Sequence, residues 1–172
     1  MPKNYLSETY LVPLLQKLVC HPSEQTDLQE ADPRIREFIN ECLAPEIDEL
    51  EIGIPRYDGM GNLILEIGPE NSDRSLLFMT YAMTHPASAM LDPFSAALID
   101  TPNGQAVRGR GVAEQKTAMT AALAAVAQAA NNGIGGRLIF SAVCACETGR
   151  HDAVASVLEE LSAPPDLAIV CI

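Results

Sequence analysis

The sequence is short of basic residues: 11 lysines and arginines stand against 23 acids, a formal net charge of −12 at pH 7. No basic cluster offsets that surplus, so a phosphate backbone would be repelled and a nucleic-acid partner is not expected. Long apolar runs are also missing, none approaching the roughly 20 residues of a membrane span, so no membrane partner is expected. The opening Met1-Pro2-Lys3-Asn4-Tyr5 has neither the basic start nor the apolar stretch of a secretory signal, and a cytoplasmic location is expected. Five cysteines make an odd set without disulfide-framework spacing. Of these, Cys20, Cys42 and Cys171 lie among apolar residues and read as small buried hydrophobes. Internal repeats and low-complexity tails are absent.

What remains is globular. The 172 residues are 48% hydrophobic and 20% charged, enough for one domain with a real core. Apolar residues recur at helical spacing over 5–20 and again over 33–44, where Asp32 makes an N-cap before Pro33 at the first helical position. Pro45 is expected to end the second helix, and 48–55 alternates like a short strand. A turn at 57–62 leads into a strand at 63–67. A continuous apolar strand is predicted at 75–81, loop over 84–106, and an Ala-rich helix from Lys116 to Ala130 stopped by Asn131-Asn132-Gly133. Two further apolar, β-branched runs cover 137–145 and 167–172. Continuous apolar strands joined by helices predict a three-layer α/β/α sandwich around a mostly parallel central sheet. A parallel strand at the end of the chain lacks the helix that should cover it, which suggests a C-terminally incomplete domain.

Four clusters have side chains suited to chemistry. Gly109-Arg110-Gly111-Val112-Ala113-Glu114-Gln115-Lys116 is a glycine-rich turn opening a helix. It fits neither phosphate-loop spacing, but it places charged groups where open α/β folds bind ligands. Cys144-Ala145-Cys146-Glu147-Thr148-Gly149 ends a strand with a thiol and a carboxylate, groups able to bind a soft metal or, given a base, to act as a nucleophile. His85, before Pro86, follows the 75–81 strand; His21 and His151 read as incidental surface residues. Asp58 to Asn62 reads as turn chemistry.

Taken in order, these clusters resemble the two-zinc aminoacylase/carboxypeptidase family, which includes acetylornithine deacetylase, succinyl-diaminopimelate desuccinylase and glutamate carboxypeptidase. The family's D-x-x-G-N is matched by Asp58-Gly59-Met60-Gly61-Asn62, its D-P-F by Asp92-Pro93-Phe94, its G-R-G-x-x-D-x-K by Gly109 to Lys116, and its D-E-E-x-G by Ala145 to Gly149. The resemblance implies that residues 1–172 are the N-terminal portion of one phosphorylase/hydrolase-like metallohydrolase catalytic domain, with no second domain present. It also implies a rewritten centre. Tyr81 stands where the family has a metal-binding His, and Met83 stands at the Asp that orients it. Glu114 replaces the bridging Asp, Cys146 replaces the general-base Glu, and Glu147 retains a metal-ligand position.

The implied metal ligands are Glu114 and Glu147, with His85 as a substitute third, and the implied catalytic residues are Cys146, Tyr81 and Arg110. Since a catalytic ion needs about three protein ligands and an open position, one zinc or manganese ion is expected rather than two. The expected activity is hydrolysis of a C–N bond in an amide, an N-acyl amino acid or an unusual small-molecule amine. The alternatives are a non-catalytic relative or truncated fragment that binds or assembles and holds no metal, and nucleophile chemistry at Cys146. A homo-oligomer, or a separate C-terminal half, is the expected protein partner, and these residues alone are not expected to turn over substrate.

Overall fold

The structure, a computed structural model, describes residues 3–26, 32–69, 72–145 and 151–171. The chain opens with helix α1 (Glu8–Cys20), whose buried stripe is Leu14, Leu18 and Val19. Helix α2 (Pro33–Phe38) starts as expected, the Asp32 carboxylate accepting the Arg34 backbone N–H at its N-cap. Pro45 does not stop the run. A π-helical turn (Ile39–Leu43) carries the chain into α3 (Ala44–Leu50), where the proline sits in the first helical turn and needs no N–H partner. The strand expected at 48–55 is therefore replaced by the end of α3 and a loop. Glu46, Ile47 and Leu50 bury one face of that helix, and Glu51 closes it at φ 54°.

Strands β1 (Arg56–Tyr57), β2 (Leu63–Ile67), β3 (Ser75–Tyr81), β6 (Arg137–Val143) and β7 (Leu167–Cys171) form one sheet in the order β1-β2-β6-β3-β7. The three strands β6, β3 and β7 are mutually parallel, and β2 with its short partner β1 runs against them. Helix α4 (Gln115–Asn132) links β3 to β6, and α5 (Asp152–Glu160) links β6 back across to β7. Right-handed crossovers that run in opposite directions place their helices on opposite faces, which gives the three layers. Helix α1 backs α4, and the main core fills with Phe38, Ile39, Leu65, Leu123, Ile139 and Phe140, all fully buried.

Three expectations change here. Residues 84–106 are not all loop: β4 (Ala97–Thr101) and β5 (Gly104–Arg108) pair as a separate antiparallel hairpin. Helix α5 was not foreseen. Of the three cysteines read as buried, only Cys42 is; Cys20 is exposed and Cys171 half-buried. Strand β7 is open to solvent, with Leu167 69% and Val170 53% exposed. Among the described residues no helix is long and apolar enough to cross a membrane.

Candidate functional site

The carboxyl ends of β3 and β6 lie side by side, with Tyr81 opposite Val143 in the parallel register. The pairing continues one step further, where the Ala82 N–H donates to the Val143 carbonyl. The glycine-rich turn folds onto this edge. A Cβ on Gly109 would stand 2.3 Å from Val19 Cγ1, and one on Gly111 would stand 2.6 Å from Lys116 Cγ and 2.8 Å from Thr84 Cγ2. Gly111 also has φ +88°, a conformation side chains disfavour, so both glycines are needed for the turn to close on the strand end. The Arg110 N–H donates to the Pro93 carbonyl at 2.6 Å, tying the turn to Asp92-Pro93-Phe94.

This packing brings three of the sequence-derived residues together. The Arg110 guanidinium donates from Nε to the His85 carbonyl at 2.6 Å and pairs through Nη2 with Glu114 Oε1 at 2.7 Å. Glu114 is the N-cap residue of α4, where the helix dipole favours a negative charge. Its other oxygen, Oε2, is buried and has no hydrogen-bond partner among the described residues. His85 joins the cluster through its backbone, and its residue is exposed. Tyr81 ends β3, half-buried on the same edge. Cys146 and Glu147 lie outside the described residues.

Lys116 does not join the charged groups expected at the mouth of this helix. Its amine lies 3.1 Å from the centroid of the Phe38 ring, only 1% of the residue is exposed, and Nζ has no hydrogen-bond partner among the described residues. Burial pushes its pKa well below the ordinary lysine value. Met83 is buried too and takes only a weak sulfur contact, from Gln115 Nε2 at 3.8 Å. It cannot orient a ligand as a carboxylate would.

The fit of a divalent ion can be judged from these groups. Glu114 Oε2 is a buried carboxylate oxygen without a hydrogen-bond partner among the described residues. Arg110, however, already neutralises the same carboxylate, and among the described residues no three His, Cys, Asp or Glu side chains converge. A catalytic ion needs about three protein ligands. The described residues alone therefore do not make a metal centre.

A second arrangement was read from the sequence as turn chemistry and as the match to D-x-x-G-N. Asp58 Oδ1 accepts the N–H groups of Met60 and Asn62, each at 2.9 Å, which is an Asx turn. Asn62, fully buried, then reaches across the sheet: its Oδ1 accepts the Cys144 N–H at 2.8 Å, and its Nδ2 donates to the Ala153 carbonyl at 2.9 Å and to Asp58 Oδ2 at 2.6 Å. The Ser156 hydroxyl adds a bond to Asp58 Oδ2 at 2.8 Å. The Asp58 to Asn62 spacing was the available signal; its long-range partners were not. Cys144 itself is inert here, its thiol pushed up to about 11 by burial and then by the nearby Asp58 charge.

The fold is one shared with part of the chain in M20 metallopeptidase structures. An M20 metallo-carboxypeptidase, Sso-CP2 from Sulfolobus solfataricus, superposes at a TM-score of 0.70 with 18% identity, over 96% of this chain and 37% of its own. Human carnosine dipeptidase 1 gives 0.61 and 17%, over 94% and 38%. The dipeptidase Dug1p of Saccharomyces cerevisiae gives 0.68 and 12%, over 95% and 38%. Identities this low make the shared property the fold, and this chain spans well under half the length of each. No protein-family model matches the chain, and no curated protein matches it by sequence.

Proposed function

We propose that this chain is the N-terminal part of the catalytic domain of a hydrolase that cleaves a C–N bond in a small molecule, such as an amide, an N-acyl amino acid or an unusual amine. Its rewired centre takes one zinc or manganese ion rather than two. The observation that carries this reading is the buried Glu114 Oε2, which has no hydrogen-bond partner among the described residues and lies at the carboxyl edge of an M20-type sheet. Desolvating a carboxylate oxygen without a partner is costly, so a cation there offsets the burial. Glu147 completes the ligand set with groups from further polypeptide, in the same protein or a partner subunit. Tyr81, at the end of β3, serves as a ligand or as a donor to a developing oxyanion. Cys146 stands in the general-base position.

A second reading has its own support. The Arg110–Glu114 pair gives the carboxylate a cation without any metal, as a disused centre kept for binding or assembly would. Metal content separates the two. Protein purified without chelator is assayed for zinc and manganese beside Glu114→Gln and Glu147→Ala. About one ion per chain, lost in both variants, supports the hydrolase. No ion after loading with excess zinc supports the binding subunit.

A further inference from the structure

We propose that Glu24, outside the charged cluster, is the positioning residue that holds Arg110 on one oxygen of Glu114. Its functional meaning rests on the hydrolase reading; its geometry does not. The Arg110 Nε–H donates to the His85 carbonyl, and that carbonyl belongs to the His85–Pro86 peptide. A proline supplies no N–H, so this peptide plane has no donor of its own and is set by the residues on either side. On the near side Thr84, 1% exposed, is pinned twice. Its N–H donates to the Ser23 carbonyl at 2.8 Å, and its carbonyl accepts the Gln25 N–H at 2.9 Å. On the far side the first available donor is the Ala87 N–H, and Glu24 Oε1 accepts it at 2.6 Å.

Glu24 is itself held in place. It sits between Ser23 and Gln25 in the bridge to Thr84, so one short segment grips the loop by both backbone and side chain. Its side chain is 15% exposed, and its second oxygen, Oε2, meets the Arg34 guanidinium at 3.4 Å. Arg34 is fixed in turn by Asp32, donating to each of its two oxygens at 3.2 Å. A carboxylate also holds a backbone N–H more strongly than a neutral acceptor does. The contacts then run from Glu24 through Ala87 and His85 to Arg110, and from Arg110 Nη2 to Glu114 Oε1 at 2.7 Å. Held at Nε, the guanidinium covers Oε1 and leaves Oε2 without a partner among the described residues. Released from the His85 carbonyl, it can turn to the fork geometry that takes both oxygens of a carboxylate, and Glu114 then has none to give a cation.

Side-chain 15N relaxation of the Arg110 Nε–H tests this in excess chelator at a single pH, without any metal. Wild type is compared with Glu24→Ala, Glu24→Gln and Leu123→Ala, the last a change at a fully buried core residue of α4 that lowers stability on its own. In wild type the order parameter of this N–H is expected to match rigid backbone, about 0.85, and in Glu24→Ala to fall below about 0.6. Glu24→Gln keeps an acceptor for the Ala87 N–H and stays near wild type, as does Leu123→Ala. The proposal is overturned if Arg110 is already mobile in wild type or if Glu24→Ala leaves it rigid. It is overturned equally if Glu24→Gln or Leu123→Ala loosens Arg110 as much as Glu24→Ala does. Should Glu24→Ala fail to fold, Glu24→Asp is the milder probe, keeping the charge beside Arg34 but stopping one methylene short of Ala87. It is expected to lower the order parameter by less; no change overturns the proposal. A chain that binds no metal would defeat the hydrolase reading and leave this relaxation result intact.

Discussion

Replacing Lys116 with methionine should make the protein more stable, and the gain should depend on pH. Two effects oppose each other at this amine. The Phe38 face, 3.1 Å away, favours the ammonium form by about 2 kcal/mol or somewhat more when water is excluded. Removing a charge from water costs several kcal/mol, and among the described residues no carboxylate accepts a hydrogen bond from it to offset that cost. The nearest titratable neighbour, Cys42, has its thiol raised to about 11 by burial, so it is uncharged at neutral pH and supplies no counter-ion. Desolvation wins, and the folded-state pKa lies well below that of the unfolded chain.

The unfolded chain then carries the extra proton between the folded-state pKa and the ordinary value near 10.5, so stability rises with pH across that window. The slope approaches about 1.4 kcal/mol per pH unit inside it. Methionine has similar length, fills the space over Phe38 and removes a buried donor whose lack of a partner costs about 1–3 kcal/mol at any pH, in addition to the pH-dependent cost of deprotonating the amine. For a chain of 172 residues the pH-independent part alone raises the melting temperature by about 2–12 °C. Urea unfolding at pH 7 and pH 9 measures both effects: Lys116→Met is more stable at pH 7, and the gap narrows at pH 9. A variant destabilised at pH 7, or a gap that does not change with pH, would show that the amine is charged and paired, and the reasoning would be wrong.

Two further outcomes follow from local geometry. Asp32, held by the Arg34 guanidinium, the Thr26 hydroxyl and the Arg34 N–H, has its carboxyl well below the usual range. Its contribution is therefore present above the unfolded pKa near 3.8 and disappears as pH falls toward the folded value. Asp32→Asn should cost about 1 kcal/mol at pH 7, modest because Arg34 is part-exposed, and distinctly less at pH 2 in acid-titrated unfolding. Equal losses at both values would remove the ionic explanation. Gly111→Ala forces a side chain to φ +88° against Lys116 and Thr84, and should cost about 1–3 kcal/mol or more in thermal unfolding. A loss under about 0.5 kcal/mol would mean the turn relaxes freely.

The sheet was legible because β2, β3, β6 and β7 are short apolar runs bounded by turn residues, and α4 was legible from composition. Pro45 misled because proline stops a helix only from within; the π-helical turn delivers it to a position where its missing N–H is harmless. The β4–β5 hairpin had a usable signal in Asn103-Gly104 between apolar residues. Helix α5 had another in Ala153 and Val157, four residues apart and both buried. Of the candidate site, the Arg110 to Glu114 spacing could be read directly, since i,i+4 residues meet across a helical turn. The burial of Lys116 could not, because Phe38 lies 78 positions away in sequence and only tertiary packing joins them. Asn62 escaped for the same reason: its partners are 82 and 91 residues distant.

The central claim is that Glu114 is a metal ligand with one oxygen still to give. Crystals grown with zinc, measured for anomalous scattering at the zinc edge, test it directly. The account predicts a peak about 2.0–2.2 Å from Glu114 Oε2, with Oε1 still on Arg110. A peak only elsewhere, or an Oε2 occupied by a water or a protein donor in zinc-soaked crystals, would contradict it and leave Arg110 as the cation of this site.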